Sequence, residues 1–318
     1  MFEAFLTQHD TATWARTREA LLPSMHEVDR DATRIWFHFF PLALAQAFAR
    51  TDNPDRLSQE LFLEGNYRLA EQCDTSHWFL YGHRYWPQVK AAIIAQAESQ
   101  SPSPSLDLPA IIRDIAGKAA SAAGLKDDTL VIGIAAVGLM SLQQVGLTAF
   151  RRSAGVNTTV SGGLTKAPAQ IVAARKRDDG QGLLGFLRGI KTEYSVTFDE
   201  RRADGRFTLI NKQHMTTAAA TDKRDYSGGP RLCQEGPIPI RCRSASCGSC
   251  WVGILGGAGK LSDVEPLEAR RMREFGYINS TDSKPVIRLA CMAKASGNVT
   301  LVIPPWNGIV GKAGLGGA

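Results

Sequence analysis

Residues 238–250 read Ile238-Pro-Ile-Arg-Cys242-Arg-Ser-Ala-Ser-Cys247-Gly-Ser-Cys250, and one more cysteine, Cys291, follows after a gap of 40 residues. The spacing C-x4-C-x2-C carries three thiols on one short loop, and the distant fourth can close a site around them. Such close spacing also turns backbone N–H groups toward the sulfur atoms, which favours negative charge there. Because the sequence shows no sign of export, structural disulfides are not expected, and clustered cysteines then indicate metal ligation.

Several kinds of cysteine site can be excluded residue by residue. A zinc ribbon requires two C-x2-C pairs, whereas this sequence has one pair and two single cysteines. A Rieske centre needs histidine ligands, and no histidine follows His214. A c-type haem needs histidine where Trp251 stands, and a [4Fe–4S] ferredoxin would show C-x2-C-x2-C. The spacing is that of a [2Fe–2S] cluster, with four predicted ligands: Cys242, Cys247, Cys250 and Cys291.

This ligand set predicts electron transfer. Four thiolates leave no open position on either iron, so the site is not built to bind a substrate. Clusters of this spacing have reduction potentials near about −400 mV. Electrons must enter and leave where the cluster comes close to the surface, and we expect residues 243–249 to form that exit. The sequence contains no dinucleotide fingerprint, flavin-type domain or second cluster motif, so we predict no catalytic residues.

Residues 191–303, about a third of the chain, resemble the plant-type ferredoxin family. The resemblance rests on the loop 238–250, on Leu261-Ser262 followed by Glu265, on Arg288-Leu289-Ala290-Cys291 and on a last strand at 298–303. It implies a β-grasp fold, a small mixed sheet with a helix across it, in which the four cysteines hold one [2Fe–2S] cluster. The loop departs from the family at Ala245, where the family often has glycine.

The character of the sequence changes near residue 190. Before that point it reads as helices: Asn53-Pro54-Asp55 predicts a helix start, with apolar residues continuing at roughly helical spacing, and Pro41 is expected to kink or restart a helix. After it, residues 194–198 and 206–210 alternate as strands do. The predicted fold class is therefore α+β. We expect a helical domain at 1–128, an apolar helix at 129–152, a connector at 153–190 and the ferredoxin-like domain with a Gly-rich tail at 191–318.

Residues 130–150 carry no charge and are long enough to cross a bilayer, which needs about 20 residues. Three basic residues lie between 109 and 129 and six between 151 and 177, a bias that predicts a cytoplasmic carboxyl-terminal side. Spanning would require residues 1–128 to cross the membrane without a predicted signal peptide. Adjacent Gln143 and Gln144 and the many small residues fit the alternative, a helix buried in the fold or against a partner subunit.

Other features of the sequence bear on the binding partners of the chain and on its cellular location. The formal net charge of +6 suits an acidic protein partner, an anionic membrane face or a solvated surface, and no pattern indicates nucleic acid. We expect a cytoplasmic chain, at the inner-membrane face if 130–150 binds lipid. Cys73, His77 and His83 offer either a metal site lacking a fourth ligand or a packed aromatic helix. Trp306 is either an anchor on a partner or a cap on the sheet.

Two functions from different classes fit these observations. The first is a one-electron carrier with a single [2Fe–2S] cluster, a fixed subunit of a larger redox complex whose other proteins perform the chemistry. The long helical region before residue 191 argues against a freely diffusing ferredoxin. The alternative is an assembly or redox-sensing module, in which the cluster is structural or regulatory. The two differ in whether the cluster cycles reversibly without loss of the fold.

Overall fold

The computed structural model describes residues 2–99, 107–152, 166–179, 192–226, 233, 235–277 and 283–313. Its helices and its mixed five-stranded sheet make the fold α+β, as the sequence predicts. Contacts divide the chain into two units. A helical unit contains residues 2–50, 68–99 and 107–152, and a sheet unit contains residues 51–67 and the described residues from 166 onward.

Helix starts follow signals that are visible in the sequence. Asp107 accepts a hydrogen bond from the Ala110 N–H at 2.8 Å, and Pro109 occupies the first turn of the helix that follows. Two helices meet at Pro41, which restarts the helix as predicted. The helices are α1 Phe2–Leu6, α2 Thr11–Leu21, α3 Glu27–Phe39, α4 Leu42–Arg50, α5 Pro54–Glu60, α6 Trp86–Glu98, α7 Leu108–Ala122, α8 Ile132–Arg152, α9 Pro168–Asp179, α10 Met215–Ala219 and α11 Pro266–Phe275.

Helix α8 lies at the centre of the helical unit. It packs against α1, α3, α4, α6 and α7, and every residue from Ile132 to Leu142 is buried. Its glycines allow neighbours to approach closely, since a Cβ at Gly138 would lie 2.6 Å from Ile93 Cδ1 and 2.8 Å from Trp86 Cζ3. The small residues in this stretch therefore serve close packing inside the unit.

The two glutamines of α8 are hydrogen-bonded within the helical unit. Gln143 accepts from Trp14 Nε1 at 2.5 Å and donates to the His9 carbonyl at 2.9 Å. Gln144 Nε2 donates to a backbone carbonyl between α3 and α4 at 2.8 Å. By length and composition α8 could cross a bilayer, and 61% of its most apolar window is buried inside the structure. These contacts fit the buried-helix alternative, while membrane association through this stretch stays a prediction.

The sheet unit is built on five strands in the order β3-β2-β8-β5-β6. The β2–β8 pair is parallel and the other pairs are antiparallel. Both β5 and β8 are buried along their whole length, and α9, which falls in the predicted connector, packs on them. The strands are β1 Glu64–Gly65, β2 Glu193–Thr197, β3 Arg206–Ile210, β4 Gln213–His214, β5 Trp251–Gly256, β6 Ile287–Leu289, β7 Lys294–Ala295, β8 Val299–Val302 and β9 Trp306–Asn307.

Residues 51–67 belong to the sheet unit, although the chain before and after them belongs to the helical unit. Asn53 caps α5 and Pro54 begins it, as predicted, and the Asn53 side chain accepts a backbone hydrogen bond at 3.0 Å. The helix ends at Glu60, earlier than the apolar spacing suggested, because Phe62 adopts a left-handed backbone with φ of 52°. The short strand β1 then pairs with β9.

The structural division differs from the predicted domain boundaries in two places. Residues 51–67 were expected in the helical domain 1–128 but belong to the sheet unit. Helix α9 was expected in the connector and also belongs to the sheet unit. Residues 153–165 and 180–190 of the connector and residues 314–318 of the Gly-rich tail lie outside the described residues.

Candidate functional site

The antiparallel ladder between β5 and β6 brings together two cysteines that are distant in sequence. Trp251 pairs with Leu289, and one step further the Ala290 N–H donates to the Cys250 carbonyl at 2.9 Å. The next residue, Cys291, donates its N–H to Cys250 Sγ at 3.4 Å. Both cysteines are 4% exposed. Register between two strands therefore positions the third and fourth thiols of the motif.

The first two thiols lie on residues 241–250, called here the cysteine loop. Arg243 and Ala245 have left-handed backbones, with φ of 55° and 60°. These residues curl the chain, and the Ser244 N–H points back to Cys242 Sγ at 3.5 Å. The conformation of Ala245 gives a reason for the glycine that the family often has there, since a Cβ in this region costs roughly 1–2 kcal/mol.

The third and fourth thiols are neighbours, and the first two lie on one loop. The Cys291 N–H lies 3.4 Å from Cys250 Sγ, and Cys242 and Cys247 lie on the cysteine loop that ends at Cys250. The thiols also affect one another's pKa, Cys247 that of Cys242, and Cys250 and Cys291 each other's. Metal ligation by all four cysteines stays a prediction.

These contacts shift the pKa values of the thiols. The hydrogen bond between Cys250 and Cys291, reinforced by burial, raises the pKa of Cys250 well above its ordinary value. The same hydrogen bond lowers the pKa of Cys291 against the opposing effect of burial. Burial also raises the pKa of Cys242, but hydrogen bonds from Ser246, Ser244 and the neighbouring thiol together outweigh it and bring the value to about 6. The lowered pKa favours the thiolate form of Cys242, which is the form that binds metals and reacts as a nucleophile.

A buried ion pair supports the strand that leads to Cys291. Arg288 Nε and Nη2 donate to the two carboxylate oxygens of Glu268 at 2.9 and 2.8 Å. Glu268 Oε1 also accepts the Leu289 N–H at 3.0 Å, and Arg288 Nη1 donates to the Ser262 carbonyl at 2.8 Å. These bonds attach β6 to α11 and to the turn before it, which limits the freedom of Cys291.

Aromatic side chains pack behind the cysteine loop. Trp251 stacks on Tyr277 with ring centroids 4.4 Å apart, and it meets the ring of Trp306 edge-on at 6.2 Å. The Tyr277 hydroxyl donates to the Gly308 carbonyl at 2.7 Å. A Cβ at Gly248 would lie only 3.2 Å from that hydroxyl, so the loop is pressed against Tyr277. Trp306 is 1% exposed, which favours the second of its two predicted roles, a cap on the sheet, over an anchor on a partner.

The cysteine loop turns its outer edge toward solvent. Arg243, Ser244 and Ser246 are exposed, whereas Ala245 between them is buried. Arg243 also forms an ion pair with Glu235. These exposed residues fall within the electron exit expected at residues 243–249, which stays a prediction.

The other cysteine and histidine set has the contacts of a packed core. His77 Nδ1 lies 2.9 Å from His83 Nδ1, and His77 Nε2 bonds to the Cys73 carbonyl at 3.0 Å. Cys73 Sγ donates to the Leu69 carbonyl, and burial raises the pKa of this thiol to about 12. The rings of His77 and Trp86 pack at a tilted angle with centroids 4.2 Å apart. These are the contacts of a packed aromatic core rather than of a metal site. The helix expected here is wrong, because residues 73–79 form turns and Tyr81–Tyr85 is a short 3₁₀ helix.

Sequence reasoning missed three side chains that support the cysteine loop: Glu268, Tyr277 and Glu64. Glu268 carried a weak signal, as an acidic residue in the first turn of a helix near the buried Arg288. Tyr277 and Glu64 carried no local signal, because their partners lie far away in sequence. Glu64 binds Arg241, the residue before the first cysteine, with Oε1 and Nη1 2.6 Å apart.

Comparison of the chain with protein-family models, curated proteins and solved structures gave no match. Within the described ranges, no group of three or more His, Cys, Asp or Glu side chains is placed so that it could hold a metal ion. The four cysteines therefore remain predicted ligands.

Proposed function

We propose that this chain transfers single electrons through one [2Fe–2S] cluster bound by Cys242, Cys247, Cys250 and Cys291. The observation that carries the proposal is the placement of Cys291 beside Cys250, with its N–H 3.4 Å from Cys250 Sγ, while Cys242 and Cys247 lie on the loop that ends at Cys250. A [2Fe–2S] cluster has two irons, and four cysteines supply two protein ligands to each. A structural zinc ion would instead need four donors around one centre.

The bound cluster would supply reversible one-electron chemistry at a potential near about −400 mV. The chain's own residues hold it and adjust it. The backbone N–H groups of Ser244 and Cys291 donate to sulfur, which stabilises negative charge at the site. The stacked rings of Trp251 and Tyr277 keep water from the inner side, and the exposed outer edge of the cysteine loop leaves a short path to a partner.

The topology of the sheet unit supports the same proposal. The resemblance to plant-type ferredoxins implies a β-grasp, a small mixed sheet with a helix across it. The sheet is mixed, with β2 and β8 parallel, and α10 and α11 pack on β3 and β6. The strand positions expected at 194–198, 206–210 and 298–303 correspond to β2, β3 and β8.

We further propose that the chain is a cytoplasmic subunit of a larger redox complex, and that its partners perform the chemistry. The helical unit supports this idea because it has a core of its own and extends well beyond what a small electron carrier needs. Association with the inner-membrane face through 130–150 belongs to the same proposal. Recovery of the chain in the soluble fraction without detergent would contradict membrane association through residues 130–150. It would leave the proposed electron-transfer role unchanged.

The test is anaerobic purification of the full chain, followed by iron and sulfide analysis and EPR spectroscopy of the reduced protein. We expect about two irons and two sulfides per chain and the spectrum of a reduced [2Fe–2S] cluster. Serine substitution of each of the four cysteines should abolish that spectrum. Cys233→Ser is the matched control, since this cysteine is not among the four predicted ligands, and it should retain the cluster.

Two outcomes separate the alternatives. Zinc in place of iron, or an iron cluster that survives all four substitutions, would overturn the proposal. Release of iron or unfolding on reduction would favour the assembly or redox-sensing module, because a carrier must cycle without loss of its fold.

A further inference from the structure

A short segment from the first quarter of the chain is part of the sheet unit. Residues 61–66, called here the strap, run antiparallel to residues 305–309, with β1 paired to β9 in the middle. Two backbone hydrogen bonds extend this ladder, from the Asn66 N–H to the Pro305 carbonyl at 2.9 Å and from the Ile309 N–H to the carbonyl of the first strap residue at 2.7 Å. The strap is therefore held along its full length.

Side-chain packing shows that the strap fits closely. A Cβ at Gly308 would overlap the side chain of Leu63 and would lie 3.0 Å from the Leu61 carbonyl oxygen. Leu61 is 1% exposed. A side chain at position 308 would therefore have to displace the Leu63 side chain, and it would press on the backbone of Leu61.

The strap contacts the first end of the cysteine loop directly. There Glu64 Oε1 lies 2.6 Å from Nη1 of Arg241, the residue before Cys242. At the other end the connection is indirect. The strap pairs with β9, and the ring of Trp306 in β9 meets that of Trp251, the residue after the third cysteine of the loop.

We propose that the strap closes the cysteine loop around its cluster, and that Glu64 is a positioning residue that acts through Arg241. This inference rests on the proposed function, because it concerns the same cluster. It adds to that function a role for the strap, which is distant from the motif in sequence. The strap affects how firmly the cluster is retained and how readily it is reduced. Solvent exposure and nearby charge are two of the factors that set the potential of an iron–sulfur cluster.

The sign of the effect on the potential follows from charge. Reduction adds one negative charge to the cluster, so it is favoured when positive charge nearby increases. Replacing Glu64 by glutamine removes a negative charge and leaves the Arg241 charge uncompensated, which raises the potential. The two side chains are 38% and 65% exposed, so solvent screens part of the effect. We expect the reduction equilibrium to change about threefold, which is about 28 mV at 59 mV per tenfold change.

The first experiment compares Glu64→Gln with Glu60→Gln in the full chain carrying its cluster. Glu60 pairs with Arg56 inside α5 at 2.8 Å, so its replacement removes the same charge from the same segment without touching the cysteine loop. Midpoint potentials are measured by EPR-monitored redox titration. We expect Glu64→Gln to shift upward and Glu60→Gln to match the original chain. A Glu64→Gln chain that cannot retain its cluster, beside a Glu60→Gln chain that does, would also support the proposal.

The second experiment tests closure without changing charge. Gly308→Ala crowds the Leu63 side chain and the Leu61 carbonyl of the strap, whereas Gly117→Ala adds a Cβ on α7 that meets nothing within 4 Å. We expect iron release to a chelator to become several-fold faster in Gly308→Ala and to stay unchanged in Gly117→Ala. Unchanged potential in Glu64→Gln together with unchanged iron release in Gly308→Ala would overturn the role of the strap. Absence of a cluster from the original chain would instead overturn the proposed function.

Discussion

Arg288 and Glu268 form a bidentate ion pair in the interior of the sheet unit, where their side chains are 1% and 0% exposed. The pair joins β6 to α11 just before Cys291. Two buried charges compensate each other, so the loss of one leaves the other without a partner in a medium that solvates it poorly. The geometry of the fourth thiol therefore depends on a charge pair that lies outside the cysteine motif.

We expect Glu268→Gln to lower the free energy of unfolding by about 3 kcal/mol, because the Arg288 charge then stays buried without compensation. Urea denaturation followed by tryptophan fluorescence measures the change. The double variant Glu268→Met with Arg288→Met should recover most of the loss, since it buries no charge. A single variant within about 0.5 kcal/mol of the original chain, the range of ordinary surface substitutions, would contradict this expectation.

Gln143→Leu distinguishes the two interpretations of α8. In the buried-helix interpretation it leaves the Trp14 N–H and the His9 carbonyl without their partner, so we expect a loss of about 1–3 kcal/mol in a thermal or urea unfolding experiment. In a bilayer the same change would favour insertion. Thr148→Leu on the exposed side of α8 is the control for added hydrophobicity. Stability unchanged by Gln143→Leu, with more chain in the membrane fraction, would favour the spanning helix.

Phe62 stands where a helix end favours glycine. The Leu63 N–H bonds to the Ser58 carbonyl and the Phe62 N–H to the Gln59 carbonyl, the pattern of a Schellman motif with Phe62 at its left-handed position. We expect Phe62→Gly to be more stable than Phe62→Ala by about 1 kcal/mol in urea denaturation, because only glycine adopts this backbone without strain. Both variants lack the phenyl ring, so the effect of losing it drops out of the difference between their free energies of unfolding. Equal stabilities would show that the backbone there is not strained.

The thiols should differ in reactivity in the chain kept free of bound metal by a chelator. Cys242, with a pKa of about 6, is a thiolate at pH 7, whereas Cys73, with a pKa of about 12, is a thiol. We expect iodoacetamide to label Cys242 first, at a rate that falls as the pH decreases through about 6 and the thiolate is protonated. Peptide mass spectrometry measures the labelling. In denaturant both should react alike, and faster labelling of Cys73 in the folded chain would refute the assignment.

Local signals in the sequence predicted local structure well. Asn53 and Pro54 begin α5, Pro41 separates α3 from α4, and alternation marks β2 and β3. The length of α5 was not predictable in the same way. Its end depends on Phe62 taking a left-handed backbone, which contacts with residues 305–309 help to hold.

The sequence alone predicts the chemistry of the candidate site, because the spacing of Cys242, Cys247 and Cys250 limits what one short loop can bind. The tertiary structure decided how that loop is held. Glu64 and Glu268 reach it from segments far from the motif, through a strand ladder and a buried ion pair. It also decided that α8 packs inside the helical unit. Spacing within a loop restricts geometry directly, whereas the meeting of distant segments depends on strand register and on packing, which no local pattern specifies.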